Sequence, residues 1–214
     1  MESEALHGWL LKFVEYSKIL RTSVETFFDW TSNHIPPWTS YSPFMSGRLV
    51  ALNKRLGICP VGIGENKQHF FAKCMLRVMG LEPTNVCQDN QLCAGLKAGI
   101  ERYVLRVQYI WGTNSSMEDW GFLKVDAKNV FNEINRIGML WTVCHLWSSG
   151  ACFVLNCYCH CLSLLLRNGN GAVSFLHSRE GVEQGEPFAV VDYGIGVLLI
   201  TKHLKATHTD VTQP

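Results

Sequence analysis

Two apolar runs around an Asn-Gly-Asn-Gly tetrapeptide restrict the possible folds of this chain more than any other feature. The runs lie in LLLRNGNGAVSFLH, and the asparagines and glycines of residues 168–171 tolerate the positive φ angles that tight hairpin turns need. The pattern therefore predicts a β-hairpin. Together with the helices indicated elsewhere, it gives an α+β layout in which strands face helices.

Hydrophobic periodicity predicts the other elements. Helices are expected over residues 9–30, Asn66 to Met79, about Leu96 to Trp111, Glu133 to Trp147 and Cys152 to Leu165. Strands are expected over GRLVALNK from Gly47 and over Trp120 to Val125, with Gly57 to Gly64 as a turn-rich connection. In the third helix the periodic apolar residues predict a buried face, made of Leu96, Ile100, Val104, Val107 and Trp111.

Composition excludes several classes of protein. Hydrophobic residues make up 47% and charged residues 17% of the 214, which is typical of a globular chain. No apolar run reaches the roughly 18 residues of a membrane helix, and Glu2 and Glu4 replace the basic start of a secretory signal. We therefore expect an intracellular protein without a membrane partner, whose nine cysteines are reduced thiols. With a net charge of +1, any contact with nucleic acid would depend on a local basic stripe.

Asp126 is the first candidate for chemistry because it closes the apolar run WGFLKVD. A carboxylate fixed at a strand end is a suitable ligand for Mg²⁺, which prefers oxygen donors and one or two carboxylates beside substrate phosphates. Taken alone, the same position suits an aspartate that caps the following turn or helix. A second segment is needed to choose between them.

That second segment is SREGVEQGEPFAVVDYGIG, in which Gly181, Gly185 and Pro187 predict a tight turn before an apolar helix. The order of FLKVDAKNVFNEINR, a helical stretch, a hairpin and REGVEQGEPFA resembles the palm of retroelement reverse transcriptases. That family has an aspartate with an aromatic residue five positions later, and then a Gln-Gly-Asp-Pro-type turn. Upstream, LVALNKRLGICPVGIGE resembles the fingers segment of the same enzymes, so the resemblance covers residues from about 47 to 214.

The resemblance implies an RNA-directed DNA polymerase of a retrotransposon-like element, which transfers nucleotides with two Mg²⁺ ions. Its partners would be deoxynucleoside triphosphates and an RNA or DNA template with its primer. By this resemblance Asp126 would be the catalytic metal ligand, and Phe131 would lie under the sugar and exclude a 2′-hydroxyl. Gln184 and Gly185 would contact the template and the incoming base, and Lys54 would approach the triphosphate.

The expected organisation is an N-terminal helical extension over residues 1–46 and a partial reverse transcriptase domain over 47–214. Within that domain the fingers would span about 47–117 and the palm about 118–214. The family's hairpin with two adjacent aspartates is expected just after Pro214, so the domain is expected to be truncated before that Tyr-Ala-Asp-Asp-type motif. Two further departures are Cys59, where the family has an arginine, and Glu186, where it has an aspartate.

Two alternatives accompany this interpretation. Phe131 is also suited to be a core aromatic residue. The whole chain is also compatible with a non-catalytic remnant, in which a palm-like fold persists without turnover.

Overall fold

The computed structural model describes residues 3–209 except 56, 92, 93, 95–97, 122 and 126. Its strands are β1 (Gly47–Lys54), β2 (Gly57–Gly64), β3 (Leu162–Arg167) and β4 (Val173–Ser178). The helices before β3 are α1 (Ser3–Leu11), α2 (Val14–Asn33), α3 (Trp38–Tyr41), α4 (Asn66–Met79), α5 (Glu82–Cys87), α6 (Gly99–Asn114), α7 (Val130–Glu133), α8 (Arg136–Leu146) and α9 (Ser148–Tyr158). After β4 come α10 (Ala189–Gly196) and α11 (Leu198–Thr207). No helix in these ranges is long and apolar enough to cross a membrane.

The four strands form one mixed sheet in the order β2-β1-β3-β4. The hairpin predicted around Asn168–Gly171 is confirmed: β3 and β4 are antiparallel, with Leu164 opposite Leu176, and Gly171 has a φ of +84°. β1 pairs in parallel with β3 through Gly47 and Leu164. The sheet therefore joins two hairpins that lie about a hundred residues apart in the chain.

The prediction of a turn-rich connection over Gly57 to Gly64 is wrong, because this segment is the strand β2. Its last glycine, Gly64, marks close packing instead of a turn. A Cβ atom added to Gly64 would lie 3.0 Å from Glu183 Oε2, and one added to the facing Gly47 would lie 2.8 Å from Glu183 Oε1. The absence of side chains at this end of the hairpin makes room for a distant carboxyl group.

The core lies where α8, α9 and α10 pack together beside the sheet. Val143, Leu162 and Ile195 have no exposed surface, and the ring of Phe188 stacks on that of Trp147 with centroids 5.6 Å apart. The N-terminal helices join this core through the buried Asn156. Its amide donates hydrogen bonds of 2.7 and 2.8 Å to the carbonyl oxygens of Thr31 and His34.

Three other predictions need correction. The helix expected over Cys152 to Leu165 ends at Tyr158, because residues from Leu162 onward pair within the sheet. The apolar face of α6 is not buried: the exposed fractions are 68% for Ile100, 46% for Val104 and 50% for Trp111. Val107 is half-buried, and Leu96 lies outside the described residues.

The central strand expected over Trp120 to Val125 is also wrong for the residues that the structure describes there, 120, 121 and 123–125, which belong to no helix or strand. Leu123 is 85% exposed and Val125 is 78% exposed. In the described sheet the inner positions belong to β1 and β3, and none of the described residues of the run before Asp126 pairs with a strand.

Candidate functional site

The candidate site is built where the turn after β4 meets the segment that leads into α8. Gly181 has a φ of +77°, and its amide donates a 3.0 Å hydrogen bond to the carbonyl of Ile134. The amide of Val182 donates a 2.6 Å hydrogen bond to the carbonyl of Phe131. A Cβ atom at Gly181 would lie 2.4 Å from the carbonyl oxygen of Asn132, so only glycine fits this contact.

Arg136, the first residue of α8, holds this turn from within the protein. The side chain is buried, and the five N–H groups of its guanidinium make six hydrogen-bond contacts, five of them to residues 178–181, because Nη2 is shared among three acceptors. Burial lowers the pKa of Arg136, while Tyr158 and then Glu180 oppose that change. The guanidinium carbon also lies 5.3 Å from the centre of the Tyr158 ring. Five donors in a fixed planar fork allow one side chain to satisfy several carbonyl groups of a turn.

Three acidic side chains are buried beside the turn. Burial raises the pKa of Glu183 to about 7, and the nearby Arg136 partly offsets that increase. Burial, followed by the charges of Glu183 and Asp192, raises the pKa of Glu186 to about 8. Burial also raises the pKa of Asp192 well above its ordinary value. These carboxyl groups are therefore largely protonated at pH 5 to 6, which makes them poor ligands for a hard cation there.

The turn that carries Gln184 and Gly185 rests on the first hairpin. A Cβ atom at Gly185 would lie 3.4 Å from the carbonyl oxygen of Gly62, and Gln184 is half-buried. On the other side, the Nε2 atom of His69 lies 3.8 Å from Glu186 Oε2. Burial lowers the pKa of His69, and Lys73 lowers it further.

A cleft of about 200 Å³ opens between this turn and the sheet. The first hairpin contributes Leu49, Pro60 and Gly62 to its walls, and the polar residues that line it include Asn132, His177, Glu180 and Glu183. The Nδ2 atom of Asn132 donates a 3.5 Å hydrogen bond to the carbonyl of Pro60, which ties the segment before α8 to β2. The cleft is thus bordered by three parts of the chain that are distant in sequence.

The structure brings some of the predicted site residues together. The Phe131 carbonyl and the Gln184–Gly185 turn are neighbours through the Val182 hydrogen bond. The ring of Phe131 is half-buried and lies 5.3 Å from that of Tyr193, against the core. Asp126 lies outside the described residues, so its place relative to the turn stays a prediction.

Lys54 ends β1 and pairs with Gly57, whereas the turn rests on the opposite end of the hairpin at Gly47 and Gly64. At about 3.3 Å per residue, the backbones of Gly47 and Lys54 are roughly 23 Å apart. The side chain of Lys54 lies outside the described part of the structure. The approach of Lys54 to a triphosphate therefore stays a prediction.

Among the described residues, no group of three or more His, Cys, Asp or Glu side chains is placed to hold a metal ion. The buried acids near the turn have raised pKa values. Asp126 lies outside the described residues and stays a predicted ligand.

Sequence reasoning missed Arg136 and Glu183. One signal for Arg136 was available, since it is the only charged residue other than histidine in the otherwise apolar or neutral stretch of α8. A charge at that position needs either solvent or a set of acceptors, and the turn supplies the acceptors.

Comparisons with known proteins find similarity among solved structures. No protein-family model and no curated protein matches the chain. Among solved structures, the chain is similar to apo telomerase from Candida tropicalis truncated from the C-terminal domain, with a TM-score of 0.50 and 12% identity. The match covers 86% of this chain and 45% of that chain. At this identity the likeness shows a related mixed helix-and-sheet fold, and the chain spans less than half of the telomerase chain.

Proposed function

We propose that this chain supplies the fingers and palm of a reverse transcriptase of the retrotransposon type. One observation carries the proposal: the backbone of residues 131–134, just after Asp126, is hydrogen-bonded to the turn just before Gln184 and Gly185. Two segments that must act on one triphosphate need to share a cleft. The fold's similarity to a telomerase over 86% of the chain supports a reverse-transcriptase-like relationship.

In this proposal each residue has a distinct task. Asp126 would hold Mg²⁺, which neutralises charge on the triphosphate when bound. Phe131 would limit the space beside the sugar, and Gln184 with Gly185 would contact the template and the incoming base. Lys54 would bring a positive charge to the triphosphate. The substrates are deoxynucleoside triphosphates, and the partner is an RNA or DNA template with its primer.

We expect the 214-residue polypeptide to bind nucleotide without catalysing nucleotide transfer. Phosphoryl transfer by two metal ions requires several carboxylate oxygens converging on ions about 4 Å apart. The sequence contains no pair of adjacent aspartates, and the acids buried beside the turn have raised pKa values. We therefore expect the purified polypeptide to bind nucleotide but not to extend a primer with Mg²⁺ or Mn²⁺. Template-dependent extension that Asp126→Ala abolishes would refute this expectation.

The decisive experiment measures binding of Mn²⁺ and dATP by the purified chain, with free Mn²⁺ followed by electron paramagnetic resonance. Asp126→Asn is expected to weaken the Mn²⁺-dependent binding of dATP about tenfold, because one charged ligand to the cation is lost. Asp119→Asn is the matched control, since Asp119 is an exposed aspartate seven positions earlier. Equal binding by the wild-type chain and both variants would remove Asp126 from the site.

A second measurement tests the sugar contact. If Phe131 limits the space for a 2′-hydroxyl, Phe131→Val should reduce the preference for dATP over ATP in the same binding assay. Unchanged discrimination would assign Phe131 to the core alone, which its half-buried ring beside Tyr193 also suits.

The alternative is a non-catalytic remnant of such an enzyme. Cys59 stands where the family has an arginine, and this substitution removes a planar donor suited to phosphate. The buried Glu186, with its pKa raised to about 8, stands where the family has an aspartate. A folded wild-type chain that binds neither dATP nor a primer–template duplex would favour this alternative.

A further inference from the structure

Arg136 connects two segments that the proposed site uses separately. Its side chain donates to the carbonyl oxygens of Ser178, Glu180 and Gly181 at 2.9–3.1 Å and to the Ser178 hydroxyl at 3.0 Å. It also donates to the carbonyl of His160 at 3.2 Å. The backbone amide of Arg136 donates to the Glu180 carboxylate at 2.9 Å. One residue therefore contacts both the backbone and a side chain of the turn after β4.

The chain on the N-terminal side of Arg136 is fixed to the same turn. Ile134 and Phe131 accept the hydrogen bonds from Gly181 and Val182. Asn135 caps α8 by accepting a 2.7 Å hydrogen bond from the amide of Gly138. The segment 131–135, the start of α8 and the turn 178–182 thus form one hydrogen-bonded unit, with Arg136 in its interior.

A lysine would not reproduce this arrangement. Its ammonium group has three donors on one atom, whereas the Arg136 guanidinium reaches acceptors on four residues from three nitrogen atoms. Arg136 is only 4% exposed, so the site is shielded from solvent. Carbonyl groups that lost their guanidinium donor would therefore not find a replacement donor in bulk water. The geometry suits a rigid connection between two segments more than a simple surface contact.

We propose that Arg136 is a positioning residue that couples the segment after Asp126 to the Gln184–Gly185 turn, so that nucleotide binding at one orders the other. This inference rests on the proposed function. It predicts that replacement of Arg136 weakens dATP binding about tenfold, within the usual range for energetic coupling between sites. It also predicts that nucleotide binding no longer slows amide exchange in the turn when Arg136 is replaced.

The test is amide hydrogen exchange of the purified chain, with and without Mn²⁺ and dATP, read in peptides over 127–135 and 178–187. In the wild-type chain nucleotide should slow exchange in both peptides. In Arg136→Lys it should still slow exchange in 127–135, but no longer in 178–187. Arg102→Lys, an exposed arginine on α6, is the matched control and should behave like the wild type.

The outcomes separate this inference from the proposed function. Slowing of both peptides in Arg136→Lys would overturn the coupling, although the nucleotide site would stand. If the wild-type chain binds no dATP, the proposed function fails. The coupling is then decided by comparing amide exchange of the two peptides between the wild type and Arg136→Lys in the absence of nucleotide. Faster exchange of both peptides together in Arg136→Lys supports the connection, and faster exchange of 178–187 alone overturns it.

Glu180→Ala provides a second variant if Arg136→Lys loses its fold by circular dichroism. Glu180 is exposed, and the change removes the carboxylate that accepts the hydrogen bond from the Arg136 amide. A partial loss of the nucleotide response in 178–187, or faster exchange of both peptides without nucleotide, would support the coupling. An unchanged pattern in both conditions would overturn it.

Discussion

The core where α8, α9 and α10 pack beside the sheet and the helix α6 are both rich in apolar side chains, yet they are packed in opposite ways. In the first region Val143, Leu162 and Ile195 are fully buried. In the second, Ile100 and Leu105 are 68% and 65% exposed. Both helices α6 and α8 follow from local patterns, but α8 meets α9 and α10, which come from later in the chain. Hydrophobic periodicity therefore decides where a helix forms, whereas distant segments decide whether its face is buried.

The largest expected effect compares the same substitution in the two regions. Leu162→Ala removes a fully buried side chain from β3 and should lower the free energy of unfolding by about 2–5 kcal/mol. Leu105→Ala removes a side chain that is 65% exposed on α6 and should change it by less than about 0.5 kcal/mol. Urea denaturation measures both. Equal losses would mean that α6 is buried in solution and that the comparison fails.

This difference explains which parts of the fold could be predicted from sequence. The hairpin around Asn168–Gly171 and the helix Asn66–Met79 depend on local turn chemistry and periodicity, and both are confirmed with close bounds. The burial of Ile100 and the strand before Asp126 required partners elsewhere in the chain, which a local pattern does not specify. Those predictions were wrong.

The candidate site divides in the same way. The turn at Gly181 to Pro187 and the apolar helix after it were predicted from glycine and proline, and the positive φ of Gly181 and the helix α10 bear this out. The burial of Glu183 and the hydrogen bonds of Arg136 to residues 178–181 depend on contacts between residues more than forty positions apart. Sequence spacing alone contains no signal for such contacts.

A second prediction uses two glycines with nearly equal φ angles. Gly181→Ala should cost about 2–4 kcal/mol, because a left-handed alanine is strained and its Cβ would lie 2.4 Å from a backbone oxygen. Gly171→Ala, at φ +84° in the exposed hairpin turn with nothing within 4 Å, should cost only about 1 kcal/mol. Thermal unfolding of the two variants isolates the close contact with Asn132. Similar losses of stability in the two variants would show that the positive φ alone accounts for the cost of replacing Gly181.

The pH dependence of stability tests the buried acids beside the turn. Glu183 and Glu186 have folded-state pKa values of about 7 and about 8, above their ordinary value of 4.5, so the folded chain binds more protons than the unfolded chain. Their contribution to stability is complete below about pH 4.5 and is lost as pH rises through 7 to 8. Between pH 4.5 and its folded-state pKa, each carboxyl group should lower the free energy of unfolding by about 1.4 kcal/mol per pH unit.

Glu186→Gln keeps the shape of the side chain but removes its titration, so the decline in stability between pH 5 and 8 should become shallower. Glu133→Gln is the control, since Glu133 is exposed at the end of α7. Urea denaturation at several pH values gives the slopes. A wild-type stability that is flat from pH 5 to 8 would mean that these carboxyl groups are solvated in solution.

The smallest free energies are expected for local opening of α6. This helix has 16 residues, close to the roughly 12–15 below which isolated helices are marginal in water. Its apolar stripe is largely exposed, so little tertiary packing adds to the backbone hydrogen bonds. Native-state hydrogen exchange should therefore give opening free energies of about 0–2 kcal/mol for α6 and values near the global free energy of unfolding for α9. The buried Phe153 and Val154 make α9 the appropriate internal standard. If the amides of α6 exchange as slowly as those of α9, a partner covers the helix in solution. The contrast in burial between α6 and the core then holds only for a single, unassociated chain.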